Sequence, residues 1–203
     1  MTHARAMSVE RAHRWALVAS MLVWLVLETW NQARDLRRDV SDAVDRDRRS
    51  VAVMVGLSML AVATALVAAP LTQGAAVLPW RYDPLEFATG MLLLWAGLAL
   101  RVWSIRSLGA FFHSRVVIRR GHSVVRDGPY RVLRHPSYAG ALLTGAGVGV
   151  LLGSWISLAV MLVLPLAGYL YRMRIEEAAL TRELGEPYAD YARRTWRLIP
   201  FVW

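Results

Sequence analysis

The sequence contains no cysteine and no lysine. Without cysteine there are no disulfides, no thiolate metal ligands and no cysteine nucleophile. All 24 basic residues are arginines, so the net charge of +9 does not come from a lysine-rich arm of the kind that binds nucleic acid. The sequence also lacks a glycine-rich loop after a strand, a Gly-x-Ser-x-Gly elbow and a His-Glu-x-x-His helix. These absences exclude the common soluble nucleotide-binding, serine hydrolase and zinc protease patterns.

Metal-ligand spacing is missing as well. His113, His122 and His135 are separated by nine and thirteen residues, which matches no regular zinc motif. We therefore predict no metal site and no nucleic-acid partner.

Long apolar stretches dominate the rest of the chain, which is 56% hydrophobic with a mean hydropathy of +0.36. A helix that crosses the bilayer needs about 20 residues. The 36-residue stretch 136–171 is too long for one span, and Gly153-Ser154 supplies a turn near its middle, with Ser154 as the cap of the next helix. We therefore predict an all-α integral membrane protein, a single domain over 1–203, with five transmembrane helices at 13–31, 51–70, 85–104, 137–152 and 155–172.

Arginine positions predict the orientation of this domain. Six arginines lie in 34–49, eight in 101–134 and six after Tyr171, whereas only four lie in the remaining segments. With the C-terminus inside, 20 of the 24 basic residues are cytoplasmic, as the positive-inside rule favours. The absence of lysine is typical of a GC-rich bacterial source, so we predict a bacterial inner-membrane protein.

The fourth helix carries a stripe of small residues at intervals of four. Such a stripe lets two helix backbones approach closely in lipid. It predicts tight packing of helix four against helix five or helix three, and it consists of Ala141, Gly145, Gly149 and Gly153.

Two polar blocks, 122–140 and 171–191, flank the hairpin of helices four and five. A hairpin returns the chain to the side it left, so the two blocks are predicted neighbours on the cytoplasmic face. Arg172 and Glu176 are four residues apart and share one helical face. They fit either a solvated surface pair, with Arg172 snorkelling from the end of its span, or a functional site.

The same two blocks carry a recognisable set of motifs. In order and spacing they resemble the isoprenylcysteine carboxyl methyltransferase family, which shares its Arg-His-Pro and Glu-Glu elements with phospholipid N-methyltransferases. The resemblance covers roughly 105–203, a methyltransferase-like catalytic region that follows three generic spans in 13–104. Its motifs are Gly128-Pro129-Tyr130, Arg134-His135-Pro136-Ser137-Tyr138 with Gly140, Glu176-Glu177, Leu184-Gly185-Glu186-Pro187-Tyr188-Ala189-Asp190-Tyr191 and Ile199-Pro200-Phe201.

The resemblance implies a cytoplasm-facing pocket for S-adenosylmethionine, covered by a C-terminal helical segment, with a lipophilic substrate entering from the bilayer. It implies that Arg172 meets the substrate carboxylate. By motif position the cofactor residues are His122, Ser123, Val124, Val125, Tyr130, His135, Pro136, Ser137, Tyr138 and Glu176.

The residue types suit this chemistry but leave the acceptor open. A carboxylate acceptor is already ionised, so an arginine that holds it is enough and no general base is required. An amine acceptor needs a base, for which His135 or Glu177 would serve. A membrane reductase of the sterol or enone type, with a nicotinamide cofactor, is a further alternative. Carboxyl methylation is favoured because Arg172 is present.

Overall fold

The computed structural model describes residues 3–36, 46–72, 84–109 and 124–203. Their regular structure is helical, which confirms the predicted all-α class. A 3-10 turn at Gly128–Arg131 precedes α4, and an isolated parallel bridge joins Leu133 to Trp196. The helices are α1 His3–Leu36, α2 Arg46–Leu71, α3 Pro84–Leu108, α4 Pro136–Leu151, α5 Trp155–Leu184 and α6 Glu186–Arg193.

Among the described residues, three helical segments are long and apolar enough to cross a membrane: Arg49–Leu71, Pro84–Leu108 and Trp155–Leu184. Shorter apolar stretches lie at Trp15–Leu27 in α1 and in α4. The chain is therefore a helical membrane protein, and the count of five spans stays a prediction.

Turn residues set the helix boundaries around the hairpin as predicted. Pro136 opens α4, where its missing N–H and fixed φ suit the first turn. Gly153 has a φ of 63°, and the Ser154 hydroxyl accepts a hydrogen bond from the backbone N–H of Ser157 at the start of α5.

The predicted end of helix five at 172 is wrong. That prediction followed the loss of hydrophobicity, but α5 continues to Leu184. Arginine, glutamate, alanine and leucine are all good helix formers, so the sequence becomes more polar after 172 while the backbone stays helical. The break comes at Gly185, whose φ of 58° favours glycine. Arg172 and Glu176 consequently lie well inside the helix.

Glycines bring α3 and α4 into backbone contact. A Cβ added to Gly97 would lie 2.5 Å from the Gly140 carbonyl oxygen, and one added to Gly147 would lie 2.6 Å from the Gly90 carbonyl oxygen. Both distances are far below ordinary van der Waals contact, so no side chain larger than hydrogen fits. This face of α4 was not part of the predicted stripe.

The predicted stripe packs on α5. A Cβ on Gly145 would lie 2.9 Å from the Met161 carbonyl oxygen, and one on Gly149 would lie 2.6 Å from the Leu158 Cα. On the other side of α5, a Cβ on Gly168 would lie 3.0 Å from the Met54 Cα of α2. Because these helices are so close, the polar residues at their adjoining ends share one confined space.

Candidate active site

Glu176 of α5 links three residues of the predicted site. Its Oε1 accepts hydrogen bonds from the Arg172 Nε and from the Tyr138 hydroxyl, both at 2.8 Å. Its Oε2 lies 3.5 Å from the His135 Nδ1. The neighbourhood predicted for the two polar blocks is confirmed for these four side chains.

Arg172 is buried, with 1% of its surface exposed, and its Nη1 donates to the Ser50 hydroxyl of α2 at 2.6 Å. A snorkelling arginine would instead place its guanidinium in water, so the snorkelling interpretation of Arg172 is wrong. The predicted i,i+4 pair with Glu176 does form, but it is a protein-enclosed pair between α2 and α5.

Three aromatic rings line the same region. The Tyr138 ring stacks on the His135 ring at 5.6 Å between centroids and on the Tyr169 ring of α5 at 4.9 Å. Tyr138 is therefore held both through its ring and through its hydroxyl. This stack fixes the first turn of α4 against α5.

The C-terminal segment, residues 194–203, and α6 cover the chain that leads into α4. The Tyr191 hydroxyl donates to the carbonyl oxygens of Tyr130 at 2.9 Å and Leu133 at 3.2 Å. The backbone N–H groups of Arg134 and His135 donate to the carbonyls of Trp196 and Arg197.

Burial raises the pKa of the Tyr130 and Tyr188 hydroxyls well above the ordinary value and that of Tyr191 to about 12. The Tyr191 hydroxyl thus keeps its proton, and its hydrogen bonds, throughout the neutral range.

Several predicted cofactor residues lie together around α4. Tyr130, His135, Pro136 and Ser137 are buried, and the Arg101 guanidinium of α3 donates to the carbonyl and hydroxyl oxygens of Ser137 at 3.3 and 3.0 Å. Of the remaining predicted residues, Val124 and Val125 are half-buried just before the 3-10 turn, whereas His122 and Ser123 lie outside the described residues.

Sequence reasoning missed three polar residues that contact this cluster. They belong to no motif, and no spacing rule links them to the cluster. They are Ser50 of α2, Arg101 of α3 and Arg197 of the C-terminal segment. Arg134 and Glu177 belong to the predicted motifs, but the ion pair between them was not predicted.

Within the part of the chain that the structure describes, no group of three or more histidine or carboxylate residues is arranged to hold a metal ion. The carboxylates of Glu176 and Glu177 instead face guanidinium and imidazole groups.

Comparison with known proteins identifies this region. A model of the isoprenylcysteine carboxyl methyltransferase (ICMT) family matches residues 89–182. The chain is 34% identical over 115 residues to protein-S-isoprenylcysteine O-methyltransferase B of Arabidopsis thaliana, covering 56% of this chain and 58% of that protein. It is 27% identical over 94 residues to the uncharacterized protein YpbQ of Bacillus subtilis, covering 42% and 56%.

The fold is similar to the solved structure of the eukaryotic intramembrane Ras methyltransferase ICMT, with a TM-score of 0.56 and 24% identity over 71% of this chain and 52% of that one. The chain spans less than two thirds of the length of these relatives. The matched segment includes α4, the hairpin and the Arg172–Glu176 pair. Residues 89–182 are thus similar to the isoprenylcysteine carboxyl methyltransferase family.

Proposed function

We propose that the protein is an integral membrane methyltransferase that moves a methyl group from S-adenosylmethionine to the carboxylate of a lipophilic acceptor. The acceptor is an isoprenylcysteine or a small lipophilic acid that enters from the bilayer. The observation that carries the proposal is the buried Arg172–Glu176–Tyr138 cluster within the segment that matches the family.

The donor set of the cluster fits the cofactor. S-adenosylmethionine carries an ammonium, a carboxylate, ribose hydroxyls and a flat adenine. Glu176 offers a carboxylate for hydroxyl or ammonium groups, His135 offers ring nitrogens, and the buried Nε of Arg134 has no hydrogen-bond partner among the described residues. A buried polar atom of this kind is costly unless a ligand or water pairs with it.

We assign the cofactor to the residues implied by the family motifs: His122, Ser123, Val124, Val125, Tyr130, His135, Pro136, Ser137, Tyr138 and Glu176. When bound, S-adenosylmethionine supplies a sulfonium-linked methyl group for in-line displacement.

Arg172 is assigned to the acceptor carboxylate. Its planar guanidinium suits bidentate carboxylate recognition, and the contacts with Glu176 and Ser50 hold it in one orientation. Because the acceptor is already ionised at neutral pH, the residues have only to position it, and they need not remove a proton. Positioning alone supplies a large rate factor for a displacement reaction.

The membrane context suits a lipophilic acceptor. Apolar side chains of α2 on either side of its buried face are exposed, among them Val53, Met59 and Leu60. In a bilayer these surfaces meet acyl chains, so a hydrophobic substrate reaches the cluster without crossing water. We further propose a bacterial inner membrane, with the cluster and the C-terminus facing the cytoplasm, as the arginine distribution and the absence of lysine favour. The relatives include both eukaryotic enzymes and a bacterial protein.

The first test is calorimetric titration of the detergent-purified protein with S-adenosylhomocysteine. We expect micromolar binding that Glu176→Ala abolishes and Glu183→Ala retains, since Glu183 is an exposed carboxylate on the same helix. Absence of binding to well-folded wild-type protein would contradict the proposal, and NADPH would then be titrated for the reductase alternative.

A second assay identifies the acceptor atom. Vesicles with the protein are supplied with methyl-labelled S-adenosylmethionine and either an N-acetyl-S-prenylcysteine or an aminophospholipid. A methyl ester releases labelled methanol in base, whereas an N-methyl group stays on the lipid. Base-stable label on the aminophospholipid would replace carboxyl methylation by N-methylation.

A further inference from the structure

Glu177 lies one residue after Glu176, but it faces a different set of partners. Its Oε1 accepts hydrogen bonds from the Arg134 Nη1 and faces the His135 Nε2, both at 3.1 Å. Arg197 of the C-terminal segment donates from Nε to Oε2 at 3.0 Å and from Nη2 to Oε2 at 2.8 Å. One buried carboxylate therefore joins two guanidinium groups and an imidazole ring.

These three side chains belong to two segments that also pair through their backbones. The Arg134 N–H donates to the Trp196 carbonyl at 2.7 Å, and the Trp196 N–H donates to the Val132 carbonyl at 3.0 Å. Glu177 ties both segments to α5 through side chains. It is thus the common attachment point for the entry to α4 and for the C-terminal segment.

His135 connects this attachment to the proposed cofactor site. Its Nε2 faces Glu177, its Nδ1 faces Glu176 and its ring stacks on Tyr138. A ring held at both nitrogens and on one face has a single orientation. Removing the Glu177 charge releases one of these restraints without touching Arg172, which contacts Glu176 instead.

Charge density also argues for a role beyond folding. Withdrawing a carboxylate and several cations from water is costly, and apolar residues of similar volume often stabilise a protein as well or better. Glu177 lies inside α5, a helix long and apolar enough to cross a membrane, and ionisable residues within such helices usually serve a site.

From these contacts, and on the basis of the proposed function, we propose that Glu177 is a positioning residue. It orients His135 and, through Arg197, holds the C-terminal segment over the cofactor site. Glu177 itself contacts neither the acceptor nor the transferred methyl group, so its loss changes affinity for the cofactor rather than the rate of the chemical step.

The test replaces Glu177 by Gln and uses Glu183→Gln as the matched control. We expect Glu177→Gln to raise the KM for S-adenosylmethionine at least tenfold, with kcat within about twofold of wild type. A drop in kcat of tenfold or more at unchanged KM would overturn the proposal.

Arg197→Gln provides a second, milder variant, because the Arg197 side chain is 36% exposed. We expect Arg197→Gln to raise the KM for S-adenosylmethionine as well. The KM of the double variant should lie within about twofold of the KM of Glu177→Gln alone. Fully additive effects would show that the two residues act independently and would overturn the role assigned to Arg197.

Hydrogen exchange separates this proposal from the proposed function. In ligand-free protein we expect Glu177→Gln to speed exchange of amides in 194–203, but not in α3, relative to Glu183→Gln. Unchanged exchange in 194–203 would overturn the attachment role. If the wild type neither binds S-adenosylhomocysteine nor transfers a methyl group, the proposed function fails while the exchange result still decides whether Glu177 holds the segment.

Discussion

Gly97 of α3 provides the sharpest test of how the helices support the site. A Cβ at Gly97 would lie 2.5 Å from the Gly140 carbonyl oxygen and 2.6 Å from the Thr144 hydroxyl oxygen. Carbon atoms in favourable contact are about 3.5–4.0 Å apart, so Gly97→Ala must push α3 and α4 apart by roughly 1 Å. The obstacle includes backbone, which cannot rotate away.

Overpacking of this kind costs about 1–3 kcal/mol, and it outweighs the gain of up to about 1 kcal/mol that alanine normally brings over glycine inside a helix. Gly56 of α2 is the matched control, because nothing lies within 4 Å of a Cβ there. We expect Gly97→Ala to unfold at a lower temperature than wild type, by about 2–4 °C for each kcal/mol, whereas Gly56→Ala does not.

Thermal unfolding in one detergent, followed by circular dichroism, makes the comparison. The same displacement moves Arg101 away from Ser137, so S-adenosylhomocysteine affinity should fall in Gly97→Ala. If Gly97→Ala and Gly56→Ala were equally stable, the inferred close approach of α3 and α4 would be refuted.

Three further predictions follow from individual contacts. Gly149→Leu should lower the yield and melting temperature of folded protein, because its side chain would overlap the Leu158 backbone; yields equal to those of Gly56→Leu would contradict this. Arg172→Ala should reduce methyl transfer to a carboxylate acceptor by at least about 100-fold, because a buried charge-assisted contact worth about 1.5–3 kcal/mol is lost and the substrate is also misplaced. Arg174 is exposed, so Arg174→Ala should retain activity. Equal activities of the two variants would show that Arg172 does not bind the acceptor. The pKa of Tyr191 is raised to about 12 from an ordinary value near 10, so its stabilising contribution is fully present below about pH 10 and is lost as pH rises towards 12. The melting temperature followed by circular dichroism should therefore fall over that interval by more in wild type than in Tyr191→Phe, and equal falls would contradict this.

Local sequence determined the parts of this protein that depend on neighbours along the chain. Apolar runs predicted the helices, because hydrophobicity over a helix-length window is a local property. Gly153-Ser154 predicted where the hairpin turns, because glycine and a capping serine act on their own backbone. The motif order predicted a resemblance to the family whose model matches residues 89–182.

Only the tertiary structure decided which distant residues meet. Ser50 reaches Arg172 across 122 positions, and Arg197 reaches Glu177 from a segment with no helical register to read. Contacts between helices depend on rotation and separation, and these are set by all the packed side chains together. For the same reason Arg172 looked equally suited to a solvated helix end and to a site. Its burial follows from the close approach of α2 and α5 at Gly168, which spacing along the sequence does not encode.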